Sequence, residues 1–408
     1  MNASRQALLE VFLTALDAVN GRRRVREALA AAPIDAPLYV IALGKAACPM
    51  VLGALDALGS AIRDALVVTK YGHAEPLPWP VLEAAHPVPD ESSLAAGDAL
   101  VRFAERIPPA AQVLVLLSGG ASALVEKLPP GAGLDTLRRL NEWLLGSGRD
   151  IAAMNRIRKR LSLIKGGRLA RMLAPRQVTC LAISDVPGDD PRFIGSGPLV
   201  ADASIAEEPF DDAPPELRGL LLAAPPVPPP GDPCFAGVRF TIVARLEDAK
   251  RAAAGAATAR GWRAEVHEEL VVGEAAEVGE RLAQCVLASV PNTLHVWGGE
   301  TTVRLPAHPG RGGRNQSLAL AAARVLKAVK GVFLLAGGTD GTDGPTADAG
   351  ALVDGGTIER GEEEAGLDAD AALARADAGT FLEASGDLIQ TGPTGTNVMD
   401  LVLGLRVG

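Results

Sequence analysis

The chain has 408 residues, more than one ordinary hydrophobic core accommodates, so we expect two domains. Aromatic residues make up only 3% of the sequence and the formal net charge is −9. The scarcity of aromatics argues against base-stacking surfaces, and the negative charge argues against broad contact with a phosphate backbone. We therefore expect no nucleic-acid partner. A local cluster of Lys and Arg in a cleft would still permit a small anionic substrate.

Localisation and redox chemistry can also be judged from the sequence. No apolar run approaches the length of a membrane span, and residues 1–20 form an amphipathic pattern rather than a signal peptide. We expect a cytoplasmic protein without a membrane partner. The cysteines are far apart and match neither a zinc-site spacing nor a C-x-x-C motif; they are Cys48, Cys180, Cys234 and Cys285.

Short apolar runs alternate with helical patterns along the chain. The predicted strands are 38–43, 65–70, 112–118, 178–184, 238–244, 293–298 and 331–337. Most are almost continuously apolar, as expected for strands covered on both faces. The predicted helices are 46–58, 91–106, 134–145, 246–257, 275–287 and 315–329. This alternation predicts an α/β protein with mainly parallel sheets.

A proline-rich segment, 201–237, interrupts the alternation. Such segments are semi-rigid connectors and seldom core elements. We therefore predict an N-terminal domain over 1–230 and a C-terminal domain over 231–408, with the chemistry in a cleft between them.

Glycine-rich junctions follow the predicted strands, and in open α/β sheets ligands bind beyond the carboxyl ends of the strands. Lys45 follows Gly44 and comes directly before a predicted helix. The helix dipole disfavours a cation there unless an anionic ligand is bound. The strand 112–118 ends in a tight turn that contains Ser118, Gly119, Gly120 and Ser122.

The junctions after the later strands also contain charged residues. These are Asp185, Asp189, Arg311, Arg314, Asp340 and Asp343. Phosphoryl transfer requires backbone N–H groups for the phosphates, cations on the transferring group and carboxylates for Mg²⁺, and these junctions could supply all three. Each feature also has an ordinary structural explanation. Glycine is common in tight connections, and Asp340 or Asp343 could cap a helix.

Two familiar nucleotide-binding motifs are absent from the sequence. It contains no G-x-x-x-x-G-K-[ST], so a Walker-type phosphate loop is excluded. It also lacks a G-x-G-x-x-G motif after a strand with an acidic residue about twenty positions later. The second absence weakens the case for a dinucleotide-dependent dehydrogenase.

Long motifs together resemble the glycerate 2-kinase family, the two-domain glycerate kinases with a C-terminal MOFRL module. They are GKAACPM, LLSGGASAL, ISDVPGDDPRFIGSGP, GGETTVRL with GRGGRNQ, GGTDGTDGPTADAGA and TGPTGTNVMDL. The resemblance extends from about residue 8 to residue 402. It implies two α/β/α layered domains, the larger N-terminal one Rossmann-like. It also implies transfer of a phosphoryl group from ATP to the 2-hydroxyl of D-glycerate, with Mg²⁺, giving 2-phosphoglycerate and ADP.

The resemblance also implies roles for individual residues. Lys45 and Arg314 correspond to the catalytic cations, and Asp185 and Asp189 to the acids of the SDVPGDD motif. We expect Arg314 to bind the glycerate carboxylate and Lys45 to neutralise the phosphoryl group, although these roles could be exchanged. Asp189 is the candidate base, and Asp185, with Asp189, the candidate Mg²⁺ ligand. Further predicted binding residues are Gly44, Ser118, Gly119, Gly120, Ser122, Glu300, Asn315, Asp340, Asp343 and Asn397.

Two alternatives belong to other classes. Relatives have often been labelled hydroxypyruvate reductase, an NAD(P)H-dependent activity, and the missing dinucleotide fingerprint argues against it here. A non-catalytic sensor of a sugar acid or nucleotide would use the glycines and arginines but not the carboxylates of Asp185 and Asp189. For the kinase we expect small-molecule partners only, D-glycerate and ATP, and a monomer or homodimer.

Overall fold

The computed structural model describes residues 3–34 and 37–408. Its strands are β1 (Leu38–Leu43), β2 (Ile62–Lys70), β3 (Val81–Ala84), β4 (Gln112–Leu117), β5 (Val178–Ile183), β6 (Val238–Ala244), β7 (Arg263–Val266), β8 (Thr293–Gly299), β9 (Val332–Gly338), β10 (Gly350–Asp354), β11 (Leu388–Ile389) and β12 (Asp400–Arg406). Its α-helices are α1 (Ala3–Ala18), α2 (Gly21–Ala31), α3 (Ala47–Leu58), α4 (Glu91–Arg106), α5 (Ala121–Leu124), α6 (Leu134–Gly146), α7 (Ile151–Leu161), α8 (Arg168–Leu173), α9 (Ser204–Glu207), α10 (Pro215–Ala223), α11 (Leu246–Thr258), α12 (Ala275–Ala288), α13 (Arg314–Leu326), α14 (Thr357–Glu359), α15 (Ala369–Ala374) and α16 (Ala378–Ala384).

Every predicted strand and helix is present, with ends that shift by a few residues, which confirms the α/β class. The strands β3, β7, β10, β11 and β12 were not predicted. Within the described part of the chain, none of the helices combines the length and the apolar character needed to span a bilayer.

The first compact unit comprises residues 21–243 and contains one six-stranded sheet in the order β3-β2-β1-β4-β5-β6. The pairs from β3 through β5 are parallel. Because the strand order reverses between β1 and β4, a crevice opens at the carboxyl ends of these two strands. This sheet confirms the Rossmann-like layering predicted for the N-terminal part of the chain.

Burial explains why the central strands of this sheet are so apolar. In β1 and β4, Val40, Ile41, Val113 and Val115 are fully buried. Side chains of α4 and α8 pack against one face of the sheet. The rigid central strands therefore hold the loops at their carboxyl ends in place.

The second compact unit comprises residues 1–20 and 244–408, with a six-stranded sheet in the order β11-β10-β9-β12-β8-β7. Here β9 is antiparallel to both β10 and β12, β12 is antiparallel to β8, and β7 and β8 are parallel. The prediction of mainly parallel sheets is wrong for this unit. The reason is that residues 339–349 join β9 to β10 without a helix, and a parallel pair needs a longer crossover.

The compact units do not coincide with the predicted domains 1–230 and 231–408. Strand β6 completes the first sheet, so that unit extends to residue 243. Helix α1 belongs to the other unit, because its buried Phe12 packs against β9: a Cβ on Gly337 would lie 2.8 Å from the Phe12 ring. Both differences arise from contacts between residues that are distant in sequence.

Candidate active site

The turn after β1 lies at the switch point of the first sheet. Gly44 has a φ of +124°, and a Cβ there would lie 2.3 Å from Ser118 Oγ, so only glycine fits. The backbone N–H of Lys45 donates to the Gly119 carbonyl at 2.9 Å. The two predicted junctions, after β1 and after β4, are therefore joined. We call Gly44, Lys45 and residues 118–120 the switch-point turn.

Ser118 has a structural role in this turn. It is fully buried, its Oγ accepts from the N–H of Ala46 at 3.1 Å, and its own N–H donates to Leu43 at 3.0 Å. Its polar groups therefore join β4 to the start of α3. By contrast, no acceptor for the N–H groups of Gly119 and Gly120 is found among the described residues. Within the switch-point turn, the N–H groups of Gly119 and Gly120 are therefore the backbone donors suited to an anion.

Two polar side chains meet at Gly120. A Cβ on this residue, whose φ is +83°, would lie 3.0 Å from the His86 ring and 3.2 Å from Lys45 Cγ. Lys45 is half-buried. The fold thus brings a lysine and a histidine from different loops to one side of the glycine turn.

The loop after β5 carries the predicted acids. Asp185 and Asp189 are half-buried, and Asp189 has a φ of +54°, an uncommon conformation for a residue other than glycine. Arg192 pairs with Asp190 at 2.6 Å and holds the pKa of that carboxyl below its usual range. Ser196, in the same loop, lies 2.8 Å from Ser122, oxygen to oxygen. This contact places the acidic loop next to the residues that follow the switch-point turn.

A cleft of about 570 Å³ opens beside the turn, within residues 21–243. Its lining includes His86, Gly120, Ser122, Glu126, Arg158 and Lys165. Buried Lys165 and Glu126 form an ion pair at 2.5 Å, and Ser162 donates to Glu126 at 2.6 Å. The charge at the base of the cleft is therefore compensated at this pair.

In the second unit, Arg314 begins α13 and is held by two carboxylates. Its Nε and Nη2 donate to Asp400 at 2.5 and 3.0 Å, and its Nη1 lies 2.7 Å from Glu300. Burial opposes the charge of Arg314, but the facing carboxylates of Asp400 and Glu300 raise its pKa above the ordinary value. Asp400 starts β12 opposite Gly299 and Gly338, so antiparallel pairing places it at the carboxyl ends of β8 and β9.

Asp343 caps the same helix. Its carboxylate accepts from the N–H groups of Asn315 at 3.0 Å and Gln316 at 2.8 Å, and the Asn315 amide lies 3.4 Å away. Burial raises the pKa of Asp343 to about 7, although the two backbone donors act in the opposite direction. The helix-capping explanation considered for Asp343 thus describes its contacts, which connect the GGTDGTDG loop to α13.

Asp340 and Asn397, two further predicted residues of this unit, are buried, whereas Arg311 is partly exposed. Asp340 accepts from the N–H of Thr342 at 2.9 Å, and Asn397 is 7% exposed. Arg311 pairs with buried Asp348 at 2.7 Å and with Glu383 at 2.5 Å. Arg311 is therefore neutralised by acids of its own unit.

One group of three metal-ligating side chains occurs among the described residues, formed by Glu265, His267 and His295. Neither Asp185 nor Asp189 belongs to it. His267 Nε2 and His295 Nδ1 lie 3.0 Å apart, and both rings stack on Trp297. Hydrogen bonding and stacking account for this group, which is distant in sequence from the predicted magnesium ligands.

Comparison with known proteins identifies the family. Residues 7–212 match a family described as a domain of unknown function (DUF4147), and residues 293–400 match the MOFRL family. The chain is 36% identical to D-glycerate 2-kinase of Thermotoga maritima, over 99% of this chain and 98% of that protein. The chain belongs to the glycerate 2-kinase family.

Other relatives agree in fold and differ in name. The crystal structure of the glycerate kinase of Thermotoga maritima superposes with a TM-score of 0.86 at 35% identity, covering 100% of both chains. An Agrobacterium vitis protein with the provisional name hydroxypyruvate reductase is 38% identical over 98% of this chain and 94% of its own length. The family thus includes members that carry either name.

In this member of the glycerate 2-kinase family, the predicted residues are divided between the two compact units. Residues 21–243 hold Gly44, Lys45, Ser118, Gly119, Gly120, Ser122, Asp185 and Asp189. The other unit holds Glu300, Arg314, Asn315, Asp340, Asp343 and Asn397. Sequence analysis did not single out Asp400, the partner of Arg314. A lone aspartate in the apolar run MDLVLGL was a usable signal for Asp400, since a buried carboxylate needs a partner.

Proposed function

We propose that this protein transfers the γ-phosphoryl group of ATP to the 2-hydroxyl of D-glycerate, giving 2-phosphoglycerate and ADP. The observation that carries the proposal is the likeness, over almost the whole of both chains, to a protein named D-glycerate 2-kinase. The lack of a dinucleotide fingerprint supports this reading over a hydroxypyruvate reductase.

The switch-point turn supports the proposal through its charge and its donors. Lys45 and the N–H groups of Gly119 and Gly120 are at the carboxyl ends of β1 and β4, where open α/β sheets bind ligands. A cation next to backbone donors suits a polyphosphate or a carboxylate. We assign this turn to binding the reacting groups.

The sequence left open which of Arg314 and Lys45 binds the glycerate carboxylate and which faces the phosphoryl group. The contacts of Arg314 favour one of these two assignments. Asp400 already occupies one edge of its guanidinium, and Glu300, with a half-exposed side chain, contacts Nη1. A second carboxylate in bidentate geometry would have to displace Glu300. Nη1 carries two N–H groups, so a single phosphoryl oxygen can bind it beside Glu300. We therefore assign Arg314 to the phosphoryl group through Nη1, and Lys45 to the hydroxyl end of the acid.

The reaction itself conserves atoms as follows. The 2-hydroxyl oxygen bonds to the γ-phosphorus of ATP as the bond from that phosphorus to the β,γ-bridging oxygen breaks. ADP leaves with the bridging oxygen, and the hydroxyl proton passes to the Asp189 carboxylate. The lysine and arginine charges offset the negative charge on the transferring group and the leaving oxygen.

The acids of the loop after β5 fit a magnesium ion by their chemistry. Asp185 and Asp189 supply oxygen ligands only and are half-buried, and the neighbouring Asp190 is already paired with Arg192. Mg²⁺ prefers oxygen ligands and needs only one or two carboxylates, because water and phosphate complete its shell. When bound, it would neutralise charge on the ATP phosphates. We propose Asp185 as the first ligand and Asp189 as the alternative second one.

Phosphorus NMR of the reaction mixture tests the proposal. Purified protein with ATP, D-glycerate and Mg²⁺ should give ADP and 2-phosphoglycerate in equal amounts. A 3-phosphoglycerate signal would overturn the assignment to the 2-hydroxyl. Steady NADH or NADPH consumption with hydroxypyruvate, in the absence of ATP, would favour the reductase instead.

A further inference from the structure

Arg158, on α7, lines the cleft beside the switch-point turn and has only neutral partners. Its Nε donates to Asn141 Oδ1 at 2.9 Å and its Nη1 to Asn155 Oδ1 at 3.0 Å. It forms no ion pair with any carboxylate among the described residues. A guanidinium has five N–H donors, so three remain after these two bonds.

The other cations of the cleft lining are compensated. Lys165 pairs with Glu126 at 2.5 Å, and Arg138 pairs with Asp135 at 2.9 Å. Glu142 also lines the cleft, but it is exposed and forms no ion pair with Arg158. Burial lowers the pKa of Arg158, which reflects the cost of holding this charge in a half-buried position. An anionic ligand in the cleft would offset that cost.

The two asparagines hold the guanidinium in one orientation. Asn141 lies on α6 and Asn155 on α7, one turn before Arg158, so two helices determine the plane of the fork. Amide oxygens orient an arginine without neutralising it. This arrangement leaves the positive charge for a ligand with the planar, two-oxygen geometry of a carboxylate.

We propose that Arg158 binds the carboxylate of the hydroxy-acid substrate and that Asn141 and Asn155 position it for this contact. The inference rests on the proposed kinase function. It supplies the carboxylate receptor that Arg314, already held by Asp400 and Glu300, does not provide.

The position of the cleft connects this contact to the reacting end of the substrate. Gly120 lines the cleft and is also the residue at which Lys45 and His86 meet. Arg158 and the switch-point turn therefore border the same cleft. A small hydroxy acid in that cleft can place its carboxylate on Arg158 and its hydroxyl toward the turn.

Steady-state kinetics of Arg158→Met tests the proposal. The KM for D-glycerate should rise on the order of 100-fold, while the KM for ATP stays within about twofold of the wild-type value. Arg158→Lys keeps the charge but loses the two-pronged guanidinium geometry. Its KM for D-glycerate should lie between those of the wild-type protein and Arg158→Met. Arg138→Met is the matched control, since it removes an exposed, already paired arginine from the same cleft lining, and it should leave both constants unchanged.

Asn141→Asp gives a second test that keeps Arg158 in place. The new carboxylate should pair with the guanidinium and compete with the substrate, so the KM for D-glycerate should rise although the fold gains an ion pair. A merely structural role for Arg158 predicts an unchanged KM in this variant. That outcome, or a rise in the KM for ATP instead, would overturn the inference.

Calorimetric titration with D-glycerate, without ATP, separates this inference from the proposed function. If the wild-type protein binds D-glycerate and Arg158→Met does not, the carboxylate site stands even if no phosphoryl transfer is detected. If the wild-type protein phosphorylates D-glycerate and Arg158→Met binds it equally well, only the assignment of Arg158 fails. Equal circular dichroism spectra would show that the variant is folded.

Discussion

Replacing Arg314 with Met should affect stability and activity together, and the structure indicates how to separate them. Asp400 is buried, with a side chain that is 6% exposed, and both of its oxygens receive donors from Arg314. Breaking a buried pair by removing one partner typically costs about 3–5 kcal/mol. Because the Arg314 side chain is 33% exposed, solvent screens the pair, and we expect a loss of about 2–3 kcal/mol.

The double variant Arg314→Met with Asp400→Asn removes the unpaired charge. It should recover about 1–2 kcal/mol of unfolding free energy relative to the single variant. Its kcat/KM should remain about 10²–10³-fold below the wild-type value, since the cation proposed to face the phosphoryl group is still missing.

Urea unfolding followed by circular dichroism measures the unfolding free energy of each variant. The rate of ADP release measures kcat/KM. Arg324→Met is the control on the same helix, because its ion pairs with Glu280 and Asp370 are largely exposed; it should change stability by less than about 1 kcal/mol and leave turnover unaltered. Wild-type stability in Arg314→Met would refute the energetic reasoning. Wild-type kcat/KM in the double variant would refute the catalytic role.

Further predictions concern the switch-point turn and the helix cap. Lys45→Met should lower kcat by about 10²–10³-fold with little change in unfolding free energy, and undiminished turnover would exclude the role proposed for this lysine. Gly44→Ala should destabilise by more than about 3 kcal/mol, since its Cβ would lie 2.3 Å from Ser118 Oγ. Gly131→Ala, with a φ of +86° and open space around it, should cost only about 1–2 kcal/mol, and equal losses would mean that the collision is unimportant. Burial raises the pKa of Asp343 to about 7, so its contribution to stability is full below the unfolded value near 4 and is lost as the pH rises through about 7. Urea unfolding at pH 5 and pH 8 should show a smaller difference for Asp343→Asn than for the wild-type protein; an equal difference would place the titration elsewhere.

Local patterns in the sequence were sufficient for seven of the twelve strands and six of the sixteen α-helices among the described residues. The predicted strands at 38–43 and 238–244 coincide with β1 and β6. A short apolar run bounded by glycine, proline or charged residues is typical of a buried strand. The same locality explains why Gly44 and Gly120 could be recognised as turn residues, since each adopts a positive φ within its own turn.

Tertiary structure decided which polar groups are compensated. The partners of Arg314 and Asp343 come from segments far away in the chain, and the entry of β12 between β8 and β9 brings Asp400 to the site. Sequence could nominate Arg314 as a cation but could not show that two carboxylates already hold it. Nor could it distinguish Arg158, with its two asparagine partners, from the other arginines. The physical reason is that pattern and propensity act between near neighbours, whereas the charge of a site is set by contacts that form only when the sheets and helices assemble.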